Sequence, residues 1–237
     1  MLDAWELFDH RSRRSMHTPE ISESWSKLFA GLLARHTLVD AAHDPNHVRR
    51  VVTNARRLAV EEGADWRIVM PAAWLHDCVA VPKSAPDRRQ ASRLSALRAI
   101  EWLEQHQWPH GRLEEVAHAI EAHSFSAGVE PRTPEAKVVQ DADRLDALGA
   151  VGLARTLMLG GEMRRAFYDE GDPFCETRPP DDSVFTLDHL FAKLLKLEGT
   201  MQTQAGKAEA RQRTEFLRQF LAQLNAEIGV STPGKSF

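Results

Sequence analysis

The chain has 237 residues, of which 43% are hydrophobic and 27% charged, and its formal net charge is −4. This composition is typical of a globular protein with a sizeable core, and the mildly acidic balance disfavours a general nucleic-acid-binding surface. Cys78 and Cys175 match no zinc or redox spacing, and the sequence shows no signal-peptide pattern and no membrane-spanning apolar run. We expect a single domain over residues 1–230, cytoplasmic and without a membrane or nucleic-acid partner, followed by a disordered tail at 231–237.

The spacing of apolar residues predicts helices along most of the chain. Apolar side chains recur every three or four positions in 21–35, and Asp44 with Pro45 predicts a helix start at 45 and an end before Gly63. Asp65 is a predicted cap of the next helix, and the pattern from Asp87 to Gln90 is a predicted capping box. Further helices are predicted at 66–78 and from the capping box to residue 105. Four more are predicted at 112–123, 134–159, 187–197 and 208–228. Residues 169–183 lack periodicity and predict a long loop, which in a compact domain is often functional.

An adjacent histidine and aspartate, His76 and Asp77, interrupt the apolar run AAWLHDCVAV. Neighbouring helix residues point about 100° apart, and burying a carboxylate without a partner is costly. A metal ion bound by both side chains resolves this, but so do an arginine partner for Asp77 and a hydrogen-bonded core histidine. His47, in the first turn of its predicted helix, and Asp143, in VVQDADRLDALGA, are further side chains of metal-ligand type.

With HDPNHVRRV, AAWLHD and VVQDADRLDALG in this order, the chain resembles the HD-domain superfamily of metal-dependent phosphohydrolases, in particular bacterial stand-alone HD hydrolases. The resemblance covers residues 20–160 and recurs in FCETRPPDDSVFTLDHLFAKLL. It implies an all-α fold, an HD-domain helical bundle with additional C-terminal helices at 184–229.

The resemblance also implies one divalent metal ion, bound by His47, His76, Asp77 and Asp143. Nitrogen and oxygen ligands in this mixture do not select among Mn, Mg, Fe, Co, Ni and Zn. Asp141 competes with Asp143 for the last position. The Ala-Asp-Arg context favours Asp143, and the alternative role of Asp141 is that of a helix N-cap.

The reaction implied is hydrolysis of a phosphoester or phosphoanhydride in a phosphorylated small molecule, with a nucleotide as the expected substrate. A metal-activated water is the expected nucleophile, and Asp77 is the candidate that orients or deprotonates it. The alternative is a non-catalytic, metal-dependent nucleotide-binding or regulatory protein. HDCVAV lacks the acidic pair of alarmone hydrolases, and the GYP motif of cyclic-dinucleotide hydrolases is absent from the sequence. The sequence does not determine the oligomeric state, and a homo-oligomer is one of the possibilities.

Two further residues are catalytic candidates. Lys83 lies six residues after Asp77 and, with Arg88 and Arg89, can clamp a phosphate; the alternative is a solvated loop. His123 matches an additional histidine of related HD proteins, which serves as a phosphate contact, an acid or a second-metal ligand. A histidine at a helix end is also favourable to the helix dipole without any catalytic role.

Three other side chains have open assignments. Arg50 is placed to reach an inner carboxylate or a phosphate. Asp146 is either a partner of a metal ligand or a solvated carboxylate. Arg178, in the long loop, either closes over the site or is exposed.

Overall fold

The computed structural model describes residues 18–36, 45–81 and 88–229, with the side chains of 18–22, 36, 45 and 88 excepted. Within these ranges the all-α prediction is confirmed, and extended structure is limited to an isolated bridge between Ala166 and Phe185. The main helices are α1 (Thr18–His36), α2 (Pro45–Glu62), α3 (Trp66–Leu75), α4 (Ala91–Gln105), α5 (Leu113–His123), α6 (Pro134–Asp146), α7 (Gly149–Glu162) and α8 (Gln204–Ile228). Shorter helical turns cover Arg88–Gln90, Phe125–Ala127, Leu190–Leu194, Leu195–Leu197 and Glu198–Thr200. Among the helices of these ranges, none combines the length and apolarity needed to cross a membrane.

Four helices, α2, α3, α5 and α6, form the part of the bundle that positions the site. Helix α2 packs against α3 and α6, and α5 packs against α3, α4 and α6. Their apolar faces meet in one core, whose fully buried side chains include Leu58, Leu75, Ile120 and Leu145. Each of these helices contributes at least one polar residue at or near its end, so the packing of the core fixes how those polar groups approach one another.

The prediction of one continuous helix over 134–159 is wrong. Helix α6 ends at Asp146, and α7 begins at Gly149, whose φ of +66° favours glycine. Gly160 and Gly161, expected to interrupt the helix, lie inside α7. A Cβ on Gly160 would lie 2.2 Å from Thr186 Oγ1, so this glycine permits close packing of a later segment. The break at Gly149 matters for the site because it redirects α7 toward it.

Other helix boundaries differ less from prediction. Helix α3 ends at Leu75, three residues earlier than expected, so the His76–Asp77 pair follows the helix instead of interrupting it. Asp65 caps α3 as predicted, since its carboxylate accepts a hydrogen bond from Arg67 N. The predicted caps Asp44 and Asp87 and the tail 231–237 lie outside the described residues.

The predicted loop over 169–183 is present and is held by its own acidic side chains. The Asp172 carboxylate accepts hydrogen bonds from the backbone amides of Glu176 at 2.8 Å, Thr177 at 2.7 Å and Arg178 at 3.1 Å. Arg178 Nη2 donates to Asp188 Oδ1 at 2.9 Å. Arg178 therefore pins the loop to the segment that follows it, and neither closes over the site nor is fully exposed.

Candidate metal centre

Five side chains from four elements converge on one point. His47 lies in the first turn of α2, His76 and Asp77 follow the last residue of α3, His123 is the last residue of α5, and Asp143 lies in α6. His76 is at the centre: its Nε2 atom lies 3.4 Å from His47 Nε2, 3.7 Å from Asp77 Oδ2 and 3.9 Å from Asp143 Oδ1. His123 Nε2 lies 3.5 Å from Asp77 Oδ1 on the far side. The structure thus brings together all four predicted metal ligands and the predicted catalytic histidine.

Each of the three imidazole rings is fixed through its Nδ1 atom. His76 Nδ1 donates to the carbonyl of Ala73 at 2.9 Å, and His123 Nδ1 donates to the carbonyl of Ile120 at 2.6 Å. His47 Nδ1 donates to Asp146 Oδ2 at 2.7 Å. Carbonyl and carboxylate oxygens only accept, so these contacts place a proton on Nδ1 and leave Nε2 directed at the cluster. Metal-binding histidines are held in this way.

His47 Nε2 and His76 Nε2 lie close enough for one cation to contact both atoms. With both Nδ1 atoms protonated, two neutral rings would direct lone pairs at each other across 3.4 Å. Burial opposes protonation of His47, but its hydrogen bonds with Asp143 and Asp146 prevail and raise its pKa to about 9. Burial lowers the pKa of His76. A cation bound between the two Nε2 atoms would accept both lone pairs.

The two inner carboxylates are held in their ionised form. Burial alone would raise the pKa of Asp77, but its neighbours His76 and His123 hold that pKa well below the usual range. Burial likewise opposes ionisation of Asp143, yet its hydrogen bond with His47 and the nearby histidines lower its pKa to about 2. The cluster therefore combines two negative charges with imidazole nitrogens in a largely buried place.

The dimensions of the cluster suit a divalent cation. Two groups, His47 with His76 and Asp143, and His76 with Asp77 and His123, have ligand atoms that all lie within 4.8 Å of one another. Bonds of about 2.1 Å place tetrahedral ligand atoms about 3.4 Å apart, which is close to the separations found here. His76 belongs to both groups, so both describe the surroundings of a single centre.

Asp146 connects this cluster to a second layer of charged groups. It is buried, and it accepts hydrogen bonds from Arg50 Nε at 2.6 Å and from Arg155 Nη1 at 2.6 Å. Burial would raise the pKa of Asp146, but the bonds from His47 and Arg50 hold it well below the usual range. Two alternatives were predicted for Asp146, and the structure shows the first of them, because Asp146 is the hydrogen-bond partner of His47 and not a solvated carboxylate. Sequence reasoning missed Arg155 because it depends on the break at Gly149.

The other predicted residues lie elsewhere. Lys83 is outside the described residues, as is the side chain of Arg88, and Arg89 is exposed. Asp141 faces away from the cluster: its carboxylate accepts hydrogen bonds from Gln202 N at 2.9 Å and Thr203 N at 2.8 Å. Asp141 therefore ties α6 to the start of α8, and it is not the N-cap of its own helix.

A cavity of about 780 Å³ opens beside the cluster, with His47, Asp77, His123 and Asp143 in its lining. The lining also contains residues that the sequence did not single out, namely Ser92, Phe125, Arg155, Lys193 and Lys196. The spacing of three between Lys193 and Lys196 would place both on one helix face. Nothing in the sequence alone indicates that this face lines the same cavity as the histidines.

Comparison with known proteins gives a consistent result. Residues 46–148 match the family model of the HD domain. The uncharacterised protein YpgQ of Bacillus subtilis is 36% identical over 192 residues, which are 79% of this chain and 85% of YpgQ. The crystal structure of YpgQ in complex with ADP has a TM-score of 0.66 at 32% identity and covers 86% of this chain and 98% of its own. An HD-superfamily hydrolase from Bacillus thuringiensis has a TM-score of 0.66 at 34% identity and covers 90% and 98%.

Proposed function

Because this chain belongs to the HD-domain family, we propose that it is a divalent-metal-dependent phosphohydrolase that acts on a nucleotide or a related phosphoester or phosphoanhydride. The observation that carries the proposal is the convergence of three imidazole Nε2 atoms and two carboxylates around His76. The ADP complex of Bacillus subtilis YpgQ supports a nucleotide as the ligand.

The proposed cofactor is one divalent ion bound by His47, His76, Asp77 and Asp143. When bound, such an ion lowers the pKa of a coordinated water and polarises a phosphoryl oxygen. A single ion is proposed because His76 is common to both possible groups of ligands, and its one free lone pair binds one ion. The ligand set leaves the identity of the ion open among Mn, Mg, Fe, Co, Ni and Zn.

Asp77 and His123 are the proposed proton-transferring pair. The Asp77 carboxylate lines the cavity, where it can orient the attacking water or accept its proton. Burial opposes protonation of His123, but its contact with Asp77 raises its pKa. His123 can therefore hold the proton that a leaving phosphate oxygen requires.

Positive charge in the cavity is the proposed means of binding the phosphates. Arg155, Lys193 and Lys196 all line it, and charge-assisted hydrogen bonds to phosphate oxygens are among the stronger polar contacts. Lys83 stays a proposed additional phosphate contact on the strength of its position in the sequence.

The test is metal-dependent turnover of a panel of nucleotides and phosphomonoesters. The purified chain is stripped of metal, reloaded with Mn²⁺ or another ion, and assayed for release of phosphate or pyrophosphate. We expect release from at least one nucleotide, lost in Asp77→Ala and retained in Glu104→Ala, which removes an exposed carboxylate on α4. Metal-dependent nucleotide binding without turnover under any ion would instead favour the binding or regulatory protein.

A further inference from the structure

The lining of the cavity beside the cluster contains both cations and a neutral side formed by Ser92 and residues 124–126. Arg155, Lys193 and Lys196 are among the cations, and Arg155 Nη1 lies 3.4 Å from His47 Nδ1. The turn Phe125–Ala127, which follows His123 closely, packs against the start of α4 and forms an uncharged part of the lining. The lining therefore offers a ligand a cation beside His47, at Arg155, and neutral groups that follow His123 closely in the chain.

Ser92 is an unsatisfied polar group on the neutral side. The residue is 2% exposed, and its Oγ atom has no hydrogen-bond partner among the described residues. A buried hydroxyl without a partner is destabilising by about 1–3 kcal/mol. Ser92 also lines the cavity, and a ligand whose binding turns or uncovers the buried Oγ atom would satisfy it.

Phe125 is an unusually exposed aromatic ring on the same side. The side chain is 82% exposed, although it lies in the lining of a cavity. It is two residues after His123, a member of the cluster. The hydroxyls of Ser124 and Ser126, on either side of it, lie 3.0 Å apart and bond to each other. The ring therefore has a free face and polar neighbours, which is the combination that stacks well on a planar heteroaromatic ring.

We propose that Phe125 and Ser92 form the nucleobase subsite of this cavity. Phe125 stacks on the base, and Ser92 Oγ hydrogen-bonds to a polar atom on its edge. The phosphates then point toward Arg155, Lys193 and Lys196. In this orientation the ligand spans the cluster, with its base against neutral residues and its phosphates against cations. This inference rests on the proposed function and adds to it the orientation of the nucleotide and the residues that recognise its base.

The experiment compares a substrate that contains a nucleobase with one that lacks it. ATP and inorganic tripolyphosphate share a chain of three phosphates, and both are assayed with the full Mn²⁺-loaded chain. We expect Phe125→Ala to raise KM for ATP about tenfold, since base–aromatic stacking strengthens binding by about 5- to 150-fold. KM for tripolyphosphate is expected to stay unchanged, and Phe125→Trp is expected to restore ATP binding.

Two further variants separate recognition from folding and from phosphate binding. Ser92→Ala is expected to raise KM for ATP alone while leaving the melting temperature equal or higher, because the free protein loses an unpartnered hydroxyl. Lys193→Ala is expected to raise KM for both substrates. Phe216→Ala, which removes another exposed phenylalanine on α8, is the matched control and should change neither KM.

The possible failures of the two proposals differ. An equal change in KM for both substrates in Phe125→Ala, or no change in either, overturns the nucleobase subsite. Hydrolysis of tripolyphosphate but not ATP by the unmodified chain also overturns it while leaving the hydrolase intact. If neither is hydrolysed, the full panel of nucleotides and phosphomonoesters decides the hydrolase proposal, and calorimetric binding in Mn²⁺ decides the subsite. Weaker ATP binding with unchanged tripolyphosphate binding in Phe125→Ala supports it, and equal changes contradict it.

Discussion

Asp146 Oδ2 lies 2.7 Å from His47 Nδ1, so a carboxylate outside the metal-type cluster fixes the ring whose Nε2 atom is inside it. Arg50 and Arg155 in turn hold Asp146 from two helices. The orientation of His47 is thus set by a chain of charged groups that runs from α2 through α6 to α7. This relationship makes the cluster sensitive to Asp146, Arg50 and Arg155, none of which is a proposed metal ligand.

Replacing Asp146 should weaken metal binding although Asp146 is not a proposed ligand. Asp146→Asn keeps the shape of the side chain but removes the charge that orients His47 and attracts both arginines. Loss of such an outer partner typically lowers metal affinity about 10–100-fold. Calorimetric titration with Mn²⁺ measures the effect, with Glu104→Gln on the surface of α4 as the control. Equal affinities for the two variants would show that Asp146 does not support the centre.

Divalent metal should stabilise the folded chain. The cluster contains two carboxylates and closely spaced imidazoles, and a cation that binds them only in the folded state raises the free energy of unfolding. At a free concentration one hundred times Kd, the gain is about 2.7 kcal/mol. Thermal unfolding with increasing Mn²⁺ should give a rising melting temperature in the unmodified chain and a flat response in His76→Ala. A similar rise in both proteins would place the binding elsewhere.

Two adjacent glycines in α7 should respond in opposite ways to alanine. A Cβ at Gly160 would lie 2.2 Å from the buried Thr186 side chain, whereas a Cβ at Gly161 meets nothing within 4 Å. Overpacking predicts a loss of about 1–3 kcal/mol for Gly160→Ala. Helix propensity predicts a gain of about 0.5–1 kcal/mol for Gly161→Ala. Urea unfolding measures the free energy of unfolding of both variants. Equal changes in the two variants would contradict the close packing of Thr186 against α7.

Local sequence patterns predicted the helical fold, and the resemblance to the HD-domain superfamily predicted the members of the cluster, but neither predicted the surroundings of the cluster as well. The Asp65 cap and the apolar spacing of α2 reflect local preferences of the backbone, and such preferences can be predicted from a single sequence. The break at Gly149 depends on a backbone angle that an otherwise helical pattern conceals. The roles of Ser92 and Phe125 depend on which surfaces face one cavity, and that is decided by the packing of α4 and α5 across the core.

The proposed ligand set makes a sharp distinction between two aspartates that are two residues apart on α6. Asp143 faces the histidines, whereas Asp141 is buried against backbone amides at the start of α8. Substituting Asp141 should therefore affect stability, by about 1–3 kcal/mol for the loss of a buried hydrogen-bonding partner. Substituting Asp143 should affect the metal.

The most direct test of the metal centre is the metal content of Asp143→Asn and Asp141→Asn after loading with Mn²⁺ and desalting, measured beside their unfolding free energies. We expect Asp143→Asn to fold with near-normal stability and retain almost no metal. Asp141→Asn should be less stable and still retain about one ion per chain, in line with one mixed-ligand site. Full metal retention by Asp143→Asn, or loss of metal from a folded Asp141→Asn, would contradict the site described around His76.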